Sequence, residues 1–301
     1  MMFRITSLAA ALTALAVPTL ANAQTQSARS VVDIKNAYAR IIYLPENRTD
    51  YVVTVTENGS DALPRLQITQ SPRKLEIDGG ISDQRSGIRI SQCRNGDNNT
   101  IPESPGIGSS VTLSGIGRVD ATDAPLLIIR GPLNADIRSS GAVYGTVTRG
   151  ASNIDLRVGG CGAWVVANTP ERLGLSIGGN AIVWAGDIGD LDVKIGGSGH
   201  VKANHIRTLS ASMGGSGRIG VASIDGNLDV RIGGSGTVDI ASGNIPTLTA
   251  RIGGSGDIEF GGTVHDLDAT IAGAGRITVD QTTGTVRSRV MGSGRINVNR
   301  Q

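Results

Sequence analysis

Aromatic residues are scarce: Phe, Tyr and Trp make up 3% of the 301 residues. A core built on stacked rings is therefore excluded. Charge is also thin at 18% and nearly balanced, with Lys+Arg 28 against Asp+Glu 26. That balance excludes the concentrated basic face that gripping nucleic acid requires. Cysteine is limited to Cys93 and Cys161. After residue 23 no run is apolar enough to span a bilayer. What the chain has in excess is glycine, 43 residues, about twice the usual share. Without a G-X-Y period this is not collagen, and 39% hydrophobic content is too high for a disordered chain. Glycine at this density points to many tight turns.

The first 23 residues read as a removable export signal. Arg4 supplies a positive charge, Ile5 to Leu20 is mostly apolar and small, and Ala21-Asn22-Ala23 fits a small-x-small cleavage site before Gln24. Thr6, Ser7, Thr13 and Pro18 break up a run already short for a membrane anchor. The mature chain is expected to be exported, to the periplasm or the outer surface, without a membrane-spanning segment. In an oxidising compartment two cysteines permit one bridge, Cys93 to Cys161. Two separate buried thiols are the equal alternative.

From Ser109 onward the chain repeats itself. The clearest copies are Ile195-Gly196-Gly197-Ser198-Gly199 and its equivalents beginning at Met213, Ile232 and Ile252. Looser copies begin at Leu113, Ile137, Val158, Ile177, Ile271 and Val290, which makes ten. The last eight are spaced 19, 18, 18, 19, 20, 19 and 19 residues apart, and the earlier gaps are 24 and 21. Apolar residues alternate with polar ones on both sides of every glycine turn, so each repeat carries two strands with one buried face each. A third apolar position, Ile188, Ile206, Ile224, Ile245 or Val264, closes the coil. One repeat cannot bury its face alone, so the coils must stack. The fold expected is an all-β, right-handed parallel β-helix of about ten coils of 18–20 residues. Glycine at the corner is read as a requirement for positive φ. The recurring serine, as at Ser198, Ser216, Ser235 and Ser255, is read as a hydroxyl ladder.

Gly-Gly-Ser-Gly followed by an alternating strand, repeated behind an export signal, resembles the GIN-domain family of bacterial auto-transporter adhesin heads. The resemblance runs from about Val31 to Gln301 and is most specific over Ile177–Gly294. It implies a right-handed β-helix in the cell envelope, with an adhesin-like role and no catalytic residues.

Residues 24–108 lack the glycine repeat but contain short strand-like stretches separated by turn signals such as Asn58-Gly59-Ser60. They are expected to supply irregular first coils and a cap on the open end. Residues 109–301 form the repeat.

Chemistry is hard to find. Asp155, Asp192, Asp229 and Asp268 stand beside Arg157, Lys194, Arg231, Arg251 and Arg289 on one outer face, an arrangement that neutralises itself. Asp239, Glu259 and Asp257 form the one carboxylate cluster, with no facing cation. His200, His205 and His265 lack metal-ligand spacing. No catalytic triad order or phosphate loop appears, and no metal or cofactor is expected. The reading favoured is a non-enzymatic envelope module binding a glycan or an envelope protein. A polysaccharide lyase or hydrolase on the same scaffold is the alternative. The candidate binding site is an apolar stripe of three coils, Tyr144, Val165, Ile182 and Trp184, bordered by Arg118, Asp120, His200 and Lys202. If Cys161 bonds Cys93, the N-terminal segment would instead lie across the stripe.

Overall fold

The structure is a computed structural model that describes residues 30–81, 87–96, 101 and 104–300. The export signal read at 1–23 lies outside the described residues. Regular structure is β throughout, with a single 3-10 turn at Ala121–Asp123 among the described residues. The strands stack in parallel into a solenoid of about nine turns.

The apolar columns account for that stacking. Leu156, Leu175, Val193, Ala211, Val230, Ala250 and Ala269 stand in register on successive coils, and all are buried. Across the corner Trp164, Val183, Val201, Ile219, Val238, Ile258 and Ile277 form the opposing column. Ile188, Ile206, Ile224, Ile245 and Val264 close the third side, each at most 3% exposed. Each coil thus removes its apolar surface from water only against its neighbours, the hallmark of a repeat fold.

The corner glycines act differently from the expectation. The glycines of Gly196–Gly199 and its copies at 214, 233 and 253 are not among those with left-handed φ. Their constraint is the distance to the coil below. A Cβ on Gly215 would overlap the Gly197 carbonyl oxygen, and one on Gly234 would overlap that of Gly215. A Cβ on Gly214 would meet nothing within 4 Å. Of the two leading glycines, then, the second is compulsory and the first is free, and one coil carries Ala272 at the free position. The ladder at the corner is made by backbone: Ser216 N–H donates to the Gly197 carbonyl at 3.1 Å, and Ser255 N–H to that of Gly234 at 3.0 Å. The serine side chains stay exposed.

The early coils correct the repeat alignment. Repeats beginning at Ile137 and Val158 would align these two residues, and with them Val143 and Trp164 after the corner. The structure sets Ile137 beside Leu156, Ser139 beside Val158, and Gly145 beside Trp164. The indole of Trp164 fills the space over Gly145, where any Cβ would collide with the ring. Ring volume fixes this register, and the regular period of about 19 residues extends one coil further back than the irregular gaps implied.

The copy at Leu113 is not a coil. Ser110–Leu113 and Gly117–Asp120 pair antiparallel as a hairpin, and Ile90–Arg94 joins them in a separate three-stranded sheet. Gly115 and Gly117, at φ 78° and 99°, make the turn. Alternation reads the same in a hairpin as in a coil, so the pattern alone does not separate them.

Chain order and spatial order part at the N-terminal end. The long strand Ser30–Glu46 is an internal coil, in register with Asn134–Val147 on one side. On its other side lie Lys74–Asp78 and Leu126–Pro132, which belong to different stretches of sequence. Two antiparallel strands, Gln67–Ser71 and Val52–Glu57, then close the end. The segment therefore provides first coils and a cap, and the cap changes strand direction, which blocks further parallel stacking.

The corner geometry makes a direct test. Gly215→Ala should lower the unfolding midpoint by the equivalent of about 1–3 kcal/mol through forced overpacking. Gly214→Ala should stay within about 0.5 kcal/mol of the parent. Denaturant unfolding of both variants checks it, and equal effects would contradict the close-approach account.

Candidate functional site

The apolar stripe exists, but it is not open. Tyr144 at the end of Asn134–Val147, Val165 in Cys161–Val166, and Ile182 and Trp184 in Ile182–Ala185 all point away from the rod interior. Tyr144 lies beside Ala163, Ala163 beside Ile182, and Val165 beside Trp184, so the stripe is staggered rather than square. Tyr144 is 0%, Ile182 3% and Trp184 5% exposed. The three-stranded sheet lies across them, and Val111, Leu113, Val119 and Ala121 join the stripe in a second apolar core. Of the two arrangements considered, the structure takes the covered one, and Tyr144, Val165, Ile182 and Trp184 are not a free docking face. The physical reason is that a hairpin with its own apolar side buries more surface on the stripe than either exposes alone.

Polar groups in this second core are sparingly satisfied. The Tyr38 hydroxyl donates to the Val119 carbonyl at 2.9 Å. The Tyr38 and Tyr144 rings meet edge-to-face at 6.3 Å. Burial pushes the Tyr144 hydroxyl up to about 12, slightly offset by the nearby Ser109 side chain. Ser109 Oγ accepts from the Gly96 N–H at 2.9 Å, and the Tyr144 hydroxyl and Trp184 Nε1 are both buried without a hydrogen-bond partner. Cys93 and Cys161 are joined by a disulfide with Cα atoms 6.4 Å apart, linking the sheet to the solenoid.

The charged outer face pairs with itself. Arg172 spans Asp155 at 2.6 Å and Asp192 at 3.2 Å. It crosses the gap left in the aspartate column by Gly174. Arg138 holds Asp136 at 2.7 Å, and Arg231 holds Asp229 at 2.8 Å. Arg251 stands 3.8 Å from Asp268. The exposed pairs, Arg231–Asp229 and Arg251–Asp268, each contribute little, whereas Asp136 is buried. Asp239 and Glu259 are in register on adjacent coils. Among the described residues no group of three or more His, Cys, Asp or Glu side chains is arranged to hold a metal.

The histidines separate. His205 contacts the Ser223 hydroxyl through Nδ1 at 2.9 Å and Asp225 through Nε2 at 3.1 Å. Sequence reasoning missed this set, although the 18-residue interval between His205 and Ser223 is one coil and would have aligned them. The two ring nitrogens are used in the opposite sense to a hydrolase triad, and the group sits on an exposed side. His265 contacts Thr283 at 3.3 Å. His200 lies beside Ile182 and Arg218, and burial, then Arg218 and Lys202, lower its pKa.

What remains open is the corner itself. The column before it runs Lys194, Ser212, Arg231, Arg251, Thr270, Arg289. The column after it runs His200, Arg218, Thr237, Asp257, Arg276, Arg295. Between them stand the exposed hydroxyls of Ser198, Ser216, Ser235, Ser255 and Ser293 over bare glycine backbone. From Lys194 to Arg295, every coil puts at least one cation beside the ridge; Lys194, Arg231 and Arg251 are paired with aspartates, Arg218 and Arg276 stand in the second column, and Ala274 replaces the serine in one coil. The second column of cations was not singled out from sequence, because only the register across the corner brings it next to the first.

Residues 210–301 match the family described as "Putative auto-transporter adhesin, head GIN domain". The matched stretch contains three of the four clearest Gly-Gly-Ser-Gly corners and most of the ridge. No curated protein matches the chain. Among solved structures, the crystal structure of a "Putative lipid binding protein" from Parabacteroides distasonis is similar at a TM-score of 0.48 and 16% identity, over 90% of this chain and 92% of that one.

Two measurements follow from the covered stripe and from His200. Trp184→Ser should cost about 3 kcal/mol or more, the scale of a truncated buried ring, as read by thermal unfolding. The folded pKa of His200 is depressed, so its contribution to stability is present above its unfolded value near 6.5 and is lost as pH falls below it. His200→Gln should flatten the decline in melting temperature between pH 7 and pH 5, and an unchanged slope would refute the assignment.

Proposed function

We propose that the chain is a non-enzymatic, exported envelope or cell-surface module of the adhesin-head kind, whose rigid solenoid offers a repeating ridge to a glycan or protein partner. The observation that carries this reading is the corner: one exposed hydroxyl or cation per coil, in straight columns, on a backbone that cannot rearrange. A polymer with its own repeat can meet such a ridge at several coils at once, so weak contacts add through multivalency. The convex, glycine-lined surface is poorly suited to catalysis, which needs a sheltered, concave site with converging groups. The GIN stretch contributes the export and adhesin part of the reading.

The test uses the mature chain on immobilised acidic and neutral envelope polysaccharides and on envelope protein extracts. Retention should weaken with salt, since the ridge works through exposed charge. The triple variant Arg218→Ser, Arg276→Ser, Arg295→Ser should lose at least tenfold in retention while its melting temperature stays put. Release of new reducing ends or unsaturated sugars from any polysaccharide would overturn the non-enzymatic reading.

A further inference from the structure

The sheet over the stripe is attached unevenly. Its three strands pair only with one another, and none joins a solenoid sheet. At one end it is firmly anchored: Arg40 donates through its backbone N–H to the Pro125 carbonyl at 2.8 Å and through Nε to the Ala124 carbonyl at 3.0 Å. Ser60 N–H also donates to the Asp123 carbonyl at 2.8 Å. At the other end, strand Ile90–Arg94 buries little, with Ser91, Gln92 and Arg94 exposed and Ile90 and Cys93 half-buried. Among the described residues, one side-chain bond, Asn95 Nδ2 to the Asn180 carbonyl at 3.1 Å, accompanies the disulfide there.

We infer that the three-stranded sheet is a lid, hinged at Asp123–Pro125 and latched by the Cys93–Cys161 bond, and that thiol–disulfide exchange releases it from the stripe. A crevice of about 330 Å³ opens beside the latch, lined by Cys93, Asn95, Ile182 and His200, which gives an incoming thiol access. The thiolate of a small dithiol attacks one sulfur to form a mixed disulfide. The second thiol of the same reagent then displaces the protein, so that Cys93 and Cys161 leave as two protonated thiols and the dithiol leaves as its disulfide. Two electrons and two protons pass to the protein, and nothing else is consumed. Opening has a built-in compensation. Trp184 Nε1 and the Tyr144 hydroxyl, unpartnered under the closed lid, gain water when it lifts. Local opening of this kind draws on the least stable part of a structure and leaves the rest folded.

The experiment is hydrogen exchange by mass spectrometry on the full chain, with and without dithiothreitol, alongside acrylamide quenching of tryptophan emission. Reduction should speed exchange at least tenfold in peptides covering 87–96 and 110–120. It should leave 188–290 unchanged, and the Trp184 emission should shift to the red. The Cys93→Ser/Cys161→Ser variant should already be open and should not respond to dithiothreitol. Reduced chain alkylated with iodoacetamide provides the same state if that variant fails to fold. Lid peptides that exchange equally slowly in both states would overturn the latch, because apolar contact alone would then hold the sheet. Exchange that rises across the whole solenoid would overturn it too, because the bond would then be a general staple.

Discussion

Coils of a parallel solenoid sit about 4.8 Å apart, and at a corner the backbone of one coil rests directly on the carbonyls of the one below. Everything regular in this molecule depends on that contact. It forbids a side chain at Gly215 and Gly234, it lets the serine N–H groups reach the carbonyls beneath, and it turns every sequence column into a straight ladder. Once the corner is fixed, Ile232 must face inward and Arg231 outward, because successive residues of a strand alternate.

The same spacing explains why the charged surface is orderly. Side chains one coil apart are neighbours, so Arg172 can serve aspartates on both adjacent coils and the charged face neutralises itself. A wall of this type repeats a chemical motif along its length. The serine ridge is one such repeated motif, carried at the same height on successive coils.

The N-terminal third works against the regularity. Strand Ser30–Glu46 enters the stack out of chain order, the cap reverses direction, and the hairpin of residues 110–120 folds back over three coils. These departures terminate the stack and bury the one apolar outer surface that the coils leave behind. They also place the disulfide where it joins a sheet whose strands form no ladder with the rod.

The sequence by itself determined the parallel coils, the inward columns and the self-neutralising charge, because a period of about 19 residues with alternating apolar sites has one good way to bury itself. It also located the unusual coils, since Tyr144, Ile182 and Trp184 break the polar pattern of the outer face. Three things required the tertiary structure. The alignment of Gly145 with Trp164 depends on the volume of a ring over a missing side chain, which no spacing encodes. The hairpin at Leu113 alternates as a coil does, and only pairing direction tells them apart. Whether the stripe is open or covered depends on contacts between residues far apart in the chain, such as Tyr38 with Val119 and Cys93 with Cys161. Periodic, local information is written in the sequence; the meeting of two non-repeating segments is decided only when both are folded.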